Sequence, residues 1–415
     1  MIFKKISKKI AISLSAILVA VATVFTVAML LSQKVPDPIY VNNEEDFYKI
    51  NDRLDGYFII NKSFSFSSPV KPIGDKDHPF KGKINGLSSI FYNIEFDYNE
   101  LDLDKYTVNG TTYIGLFPFN EGSILKTNFY NVKYSNFSNS FDKNLNIGIV
   151  SGINKGRISG CRIYGLKELE FNSSKNINFG GYTGVNEGEI SKNDLVGHFN
   201  VKGSASTFSI GEFAGESQSN SILELCKSGG HIMVYESECG AIQNLNVGIG
   251  TGTLSGGKIN NNIFENASIT IYSKAVTNSN LGGIVGLTSG GSSIEIKNCY
   301  YKGNISSFAN NEQHISFSIG KNLSSKISAK NLLLGGSLAT KNSKSLEINY
   351  SDIPLASENI ENCYILNDFT APTTAKIVCK KISIDEVTIS KMKWNDGIWI
   401  ISNGNISFKE FTIDE

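Results

Sequence analysis

The feature that most constrains what this chain can fold into is a repeat. An apolar residue followed three positions later by Asn or Cys recurs as Leu125 to Asn128, Ile158 to Cys161, Ile190 to Asn193, Leu223 to Cys226, Ile259 to Asn262, Ile296 to Cys299 and Ile360 to Cys363. Asn331 stands where a further copy is due, with Ser328 in place of its apolar partner. The steps are 33, 32, 33, 36, 37, 32 and 32 residues. Glycine pairs keep the same phase: Gly148 and Gly152, Gly180 and Gly184, Gly211 and Gly215, Gly248 and Gly252, Gly282 and Gly286. Two landmarks in one phase mark an architecture whose units pack on their neighbours in a row.

Within the unit, Asn120-Glu121-Gly122, Asn154-Lys155-Gly156 and Asn186-Glu187-Gly188 read as turns, since Asn and Gly both tolerate positive φ. The unit from Asn146 to Asn178 divides into an apolar stretch (Ile147 to Ile153), an alternating stretch (Arg157 to Tyr164) and a short third one (Leu169 to Phe171). That predicts three short strands per unit. No unit can bury its apolar side alone, but stacking equivalent strands in parallel gives a continuous core and pairs the backbone everywhere except at the ends. The expected fold is all-β, a parallel β-helix wound right-handed by default, with about eleven coils spaced about 4.8 Å apart and a length on the order of 50 Å.

The first 34 residues are different. Lys4, Lys5, Lys8 and Lys9 precede an uncharged apolar run from Ile10 to Leu31. As a helix that run reaches roughly 33 Å, enough for a hydrocarbon core of about 30 Å. Ala20-Val21-Ala22 offers a small-residue cleavage site, but the apolar residues after it favour an uncleaved anchor. The positive-inside rule then puts the N-terminus in the cytoplasm and the repeats outside, in the cell membrane if uncleaved and secreted if cleaved. The expected division is residues 1–34 as signal-anchor or transmembrane segment, 35–95 as N-terminal cap and first coils, 96–380 as repeats and 381–415 as C-terminal cap. Beyond residue 34 the chain carries 34 Lys and Arg against 39 Asp and Glu, a weakly acidic balance that argues against nucleic acid as a partner. Gly-x-x-x-Gly also marks helix dimers in membranes, but these copies lie in polar, strand-like sequence.

The residues also resemble a family, the GLUG-motif repeat proteins of bacterial surfaces. Gly283-Ile284-Val285-Gly286 and Gly181-Tyr182-Thr183-Gly184 are similar to its core motif, and Gly115-Leu116-Phe117 resembles a first copy in which Pro118 replaces the closing Gly. Phe47 to Ile60, Pro72-Ile73-Gly74, Pro79-Phe80-x-Gly82 and Asn85-Gly86 resemble the family's opening, and Trp394 to Trp399 its closing tryptophan pair. The resemblance spans about residues 38 to 415. It implies an adhesin-like or envelope-associated β-solenoid; some relatives carry the repeats beside immunoglobulin-A-cleaving metallopeptidase domains.

Candidate chemistry is sparse. A zinc peptidase needs two histidines one helical turn apart with a Glu between, and His78, His198, His231 and His314 include no such pair. Only His198 and His231 fall one coil apart. Cys161, Cys226, Cys299 and Cys363 alternate with Asn along one position, so they lie two coils, roughly 9.6 Å, apart, beyond the roughly 7 Å a disulfide spans. They are expected as buried free thiols; Cys239 and Cys379 lie off this ladder, their state open. Asp75 with Asp77 and Glu44 with Glu45 read as surface pairs, and Tyr92, Tyr130 and Tyr300-Tyr301 as core or strand residues unless a row of exposed Tyr binds sugar or protein. Trp394 and Trp399 are expected to plug the C-terminal end of the stack. No catalytic, cofactor-binding or metal residues are assigned. The expectation is a non-catalytic surface scaffold or adhesin whose partner is an extracellular glycan or protein of host or envelope. A polysaccharide-acting β-helix enzyme and a passive stalk are the alternatives.

Overall fold

The computed structural model describes residues 37–138, 140–166, 169–310, 312–340 and 348–409. The chain divides into two compact units, Met1–Pro38 and Ile39–Glu415. The apolar run Ile10 to Leu31 lies outside the described residues, among which no helix is long and apolar enough to cross a membrane.

The second unit is a parallel β-solenoid. One sheet has eleven strands, from Ile39–Val41 to Ile360–Glu361; a third face has seven, from Phe119–Asn120 to Ile319–Asn322; and a broad sheet of 24 strands joins them. One coil runs Arg157–Ser159 on the first face, Arg162–Leu166, Leu169–Ser173 and Asn176–Gly180 on the broad one, then Thr183–Asn186 on the third. The three stretches expected per unit are therefore cut more finely, because the chain corners after Gly148 and again after Ser159.

The expected eleven coils are corrected to about seven. Only the first face runs eleven strands; the third begins at Phe119 and ends at Asn322. Residues 66–79, which hold Pro69, Pro72 and Pro79, form no strand, and neither does the stretch after Ser351 that holds Pro354. Proline cannot donate to a ladder, so these turns close on fewer faces.

The glycine pairs sit where the broad face meets the third. Gly148 ends one strand and Gly152 lies in the next, and a Cβ on Gly152 would fall 2.6 Å from Ile114 N and Tyr113 Cβ of the preceding coil. Close approach, not positive φ, selects glycine here. The Asn-x-Gly turns carry the same correction. Asn120, Asn154 and Asn186 are buried and chain together, Asn120 Nδ2 donating to Asn154 Oδ1 at 2.7 Å and Asn154 Nδ2 to Asn186 Oδ1 at 2.8 Å. None of these Asn or Gly residues has positive φ.

Positive φ appears instead at the corner after the first face, at Lys126, Gly160, Lys192, Leu225, Asn261, Asn298, Asn331 and Asn362, with values from 51° to 68°. The residue after it is the Cys and Asn ladder, and the register corrects its ends. Asn128 pairs with Arg162, so Thr127 is the counterpart of Cys161. Leu333 pairs with both Tyr300 and Tyr364, so Leu332 is the counterpart of Cys299 and Cys363. Alternation now has a physical cause: Asn193 Oδ1 accepts from Cys161 N at 2.7 Å while Asn193 Nδ2 donates to Ile158 O at 2.9 Å. Asn262 does the same for Cys226 N and Leu223 O, at 2.9 and 3.0 Å. Each Asn satisfies the buried backbone of the coil before it, and the small thiol there leaves room for the carboxamide.

The ends are sealed by different devices. At the N-terminal end the helix Glu44–Tyr48, capped by Asn43 Oδ1 accepting from Asp46 N at 2.9 Å, buries Phe47 edge to face against Phe66 and Phe91. At the other end residues 367–379 cross the stack, pinned where Ile353 N, Val378 N and Cys379 N all donate to the buried Asp352 carboxylate. The tryptophans do not plug this end. Trp394 Nε1 donates to Asn331 O at 2.9 Å and Trp399 Nε1 to Asn261 Oδ1 at 3.4 Å, so the pair lies along the side of the coils. The cause is a column that changes character: Asn128, Arg162, Asp194 and Lys227 point outward in the early coils, and Ile263, Tyr300 and Leu333 replace them in the later ones. The hairpin Trp399–Ser402 with Asn405–Phe408 folds back over that apolar strip and forms a second cluster outside the main core.

Candidate binding surfaces

Parallel stacking brings residues one coil apart into contact, so every candidate group can be placed by its register. On the early coils exposed carboxylates meet cations of the neighbouring coil: Lys81 and Glu121 at 3.6 Å, Arg157 and Glu189 at 3.0 Å, Arg162 and Asp194 at 3.0 Å. Each such pair contributes at most about 1 kcal/mol. They act as struts between coils. Asp75 Oδ1 is taken by the turn N–H groups of Asp77 and His78, and Glu44 Oε2 holds Ser67 N and Oγ at 3.0 and 2.7 Å. Asp75, without Asp77, lines a cleft of about 330 Å³ with Glu100, Asp102, Lys71 and Lys105.

His198 and His231 do come together, in register and stacked with ring centroids 4.8 Å apart. His231 Nδ1 is bound to Ser268 Oγ of the next coil at 2.5 Å. Burial and the neighbouring His198 hold the His231 imidazole below its usual range, which keeps it neutral. Among the described residues no three His, Cys, Asp or Glu side chains converge as metal ligands would. All six cysteines are free thiols; Cys239 is exposed, while Cys379 and the four of the ladder are buried. Burial pushes Cys161 and Cys299 up to about 12, far from the thiolate that reacts.

One carboxyl was not anticipated. Glu212 follows Gly211 at the glycine corner, where other coils place Ile149, Gly181, Ile249 and Gly283. It is fully buried; Ser228 Oγ donates to its Oε2, and its Oε1 has no partner. Burial pushes it up to about 8, so it is a neutral acid at pH 7. Its legible signal was a Glu inside Gly-x-x-x-Gly, in a column filled elsewhere by Ile, Leu, Phe or Gly until Asp352 ends it in the last coil.

Two columns of aromatic residues reach the surface. Tyr235, Tyr272 and Phe308 stack in parallel with centroids 5.0 and 5.5 Å apart, so their ring faces cover one another. Tyr92, Tyr130 and Tyr164 occupy one register position in successive coils; Tyr130 is 47% exposed and meets Tyr92 edge to face at 5.7 Å. Tyr300 and Tyr301 are buried.

The corner between the third and first faces changes along the stack. In the early coils the tight connection from Asn186 to Glu189 is typical; in later ones Thr288 to Glu295 spans a longer loop between the same two register positions. These loops open a cleft of about 520 Å³ lined by Ser219, Asn220, Ser221, Lys258, Ser292, Ser293, Glu295 and Lys326. Three of the extra residues in the 37-residue step fall in the loop from Thr288 to Glu295, while the 36-residue step gains its extra length elsewhere, between Val234 and Ile242.

No family model matches the chain, and no curated protein does. Among solved structures, a crystal structure from Bacteroides ovatus described as a "putative immunoglobulin A1 protease" is similar over 90% of this chain and 92% of that one, at 15% identity and a TM-score of 0.40.

Proposed function

We propose that this chain is a non-catalytic cell-surface β-solenoid, a GLUG-like repeat protein held at the membrane by its N-terminal segment, that acts as an adhesin or cell-envelope binding scaffold. The observation that carries this reading is how the carboxyl groups are used. On the early coils Glu121, Glu189 and Asp194 are engaged as inter-coil struts, Asp75 and Asp102 are tied to groups within three residues of them, and Glu212, the carboxyl held neutral near pH 7, lies wholly inside the core. A glycan-cleaving β-helix needs an acid and a base converging on one open groove. The lateral surface offers instead what binding uses: a tyrosine row across successive coils and a hydroxyl-rich cleft.

The test is retention of the purified full-length chain on arrays of glycans and matrix proteins. Retention by a defined ligand class supports the scaffold. No retention on any surface, together with unchanged attachment of cells that lack the chain, would replace it with the passive stalk.

A further inference from the structure

The cleft at the third corner is built by three successive coils. Ser219, Asn220 and Ser221 come from the first, Gly257 and Lys258 from the second, Ser292, Ser293 and Glu295 from the third, with Lys326 of the next coil at its edge. The three coils approach closely beside it, since a Cβ on Gly256 would lie 2.9 Å from both Ser219 Cα and Ser292 Cβ. Ser219 Oγ and Ser292 Oγ meet across that glycine at 2.6 Å, so hydroxyls two coils apart converge.

The charged register neighbours of the cleft do not close on one another as a pair on an earlier coil of the same face does. Arg157 and Glu189 are register neighbours and close an ion pair at 3.0 Å. Lys258 and Glu295 are register neighbours too, yet neither they nor Lys326 makes an ion pair within 4.0 Å among the described residues. Two ammonium groups against one carboxylate leave the cleft with surplus positive charge in an acidic ectodomain. Its volume, about 520 Å³, lies within the range of small-ligand sites.

We propose that this cleft is a binding site for a carboxylated glycan, with Lys258 and Lys326 meeting its acid groups and the hydroxyls of Ser219, Ser292 and Ser293 meeting its ring hydroxyls. The proposal rests on the scaffold reading and supplies its ligand class. Ammonium groups select the acid, the serine hydroxyls can pair with ring hydroxyls, and the carbon surface between them, Ile222 included, suits the C–H faces of a sugar ring.

Calorimetric titration of the full-length chain with an oligogalacturonate tests it, with cello-oligosaccharide as neutral counterpart and polyglutamate as acidic peptide. Oligogalacturonate should bind, weaken with added salt, and outcompete both other probes. Each lysine lost should weaken binding about tenfold or more, the equivalent of one charge-assisted hydrogen bond. K258M/K326M should therefore nearly abolish binding, K258R/K326R should keep most of it, and K62M/K71M, with the same change of net charge elsewhere, should leave it unchanged. Failure of oligogalacturonate to bind overturns the proposal, as does equal binding of polyglutamate or equal loss in K62M/K71M. Retention of another ligand on the arrays, indifferent to K258M/K326M, would sink this site while leaving the scaffold reading in place.

Discussion

Replacing Glu212 by glutamine should flatten the dependence of stability on pH. In the folded chain burial pushes this carboxyl from 4.5 to about 8, whereas in the unfolded chain it titrates near 4.5. Below pH 4.5 both states hold the proton and the site costs nothing extra. Between pH 4.5 and about 8 the unfolded state gives its proton up and the folded state does not, so stability falls as pH rises, by about 1.4 kcal/mol per pH unit. The loss is about 3 kcal/mol by pH 7 and about 5 kcal/mol by pH 8, a large share of the 5 to 15 kcal/mol typical of domains. Glutamine keeps the shape, still accepts from Ser228, and cannot ionise. The assay is urea unfolding of wild type and E212Q at matched pH from about 5 to about 9, reading the difference between the two so that other titrations cancel. That difference should grow by several kcal/mol in favour of E212Q. A difference flat within about 1 kcal/mol would show that the carboxyl is solvated or ionised in the fold, and would refute the buried placement.

Other outcomes follow from the same packing. Native chain treated with a thiol reagent should label at Cys239 alone, and all six cysteines should label on unfolding; fast labelling of the ladder thiols would contradict their burial. Asn193→Ala leaves the buried Cys161 N–H and Ile158 C=O without partners and should destabilise by about 2 to 5 kcal/mol in chemical denaturation, whereas loss below about 1 kcal/mol would mean the backbone finds other partners. Trp399→Ala should free the C-terminal hairpin, at a cost of about 3 to 5 kcal/mol to that unit, while far-ultraviolet circular dichroism of the coils persists; collapse of the coil signal would restore the plug. His231 is held below its usual range, so the folded state prefers the neutral ring, and its contribution is present above about pH 6.5 and lost as pH falls. His231→Asn should remove that acid sensitivity, read as melting temperature against pH.

Much of the fold was legible because parallel stacking writes every structural requirement once per coil. Period, parallel pairing and the one-coil spacing of His198 and His231 all follow from the repeat. Register at the ladder ends was not legible, since Leu125 to Asn128 fits the rule and Asn331 falls on its period, whereas the true members Thr127 and Leu332 are neither Asn nor Cys; a corner with positive φ decides which residue enters the core, and φ is not visible in composition. The Asn-x-Gly copies look like turns with positive φ, but their Asn side chains are buried ladders and their glycines answer to close approach. The side cover by Trp394 and Trp399 could have been seen in the outward column turning from Asn128, Arg162, Asp194 and Lys227 to Ile263, Tyr300 and Leu333. The cleft stayed hidden because it is made of serines and lysines, residues that any surface loop carries, and only the register shows that they converge.

Whether the coil faces hold a ligand or transform it is decided most directly by incubating the full-length chain with the polymer it retains and following polymer length and new chain ends over time. Retention with polymer length unchanged at stoichiometric protein is the predicted result. Fragments that accumulate with time and with protein concentration would contradict it and place an enzyme on these coils.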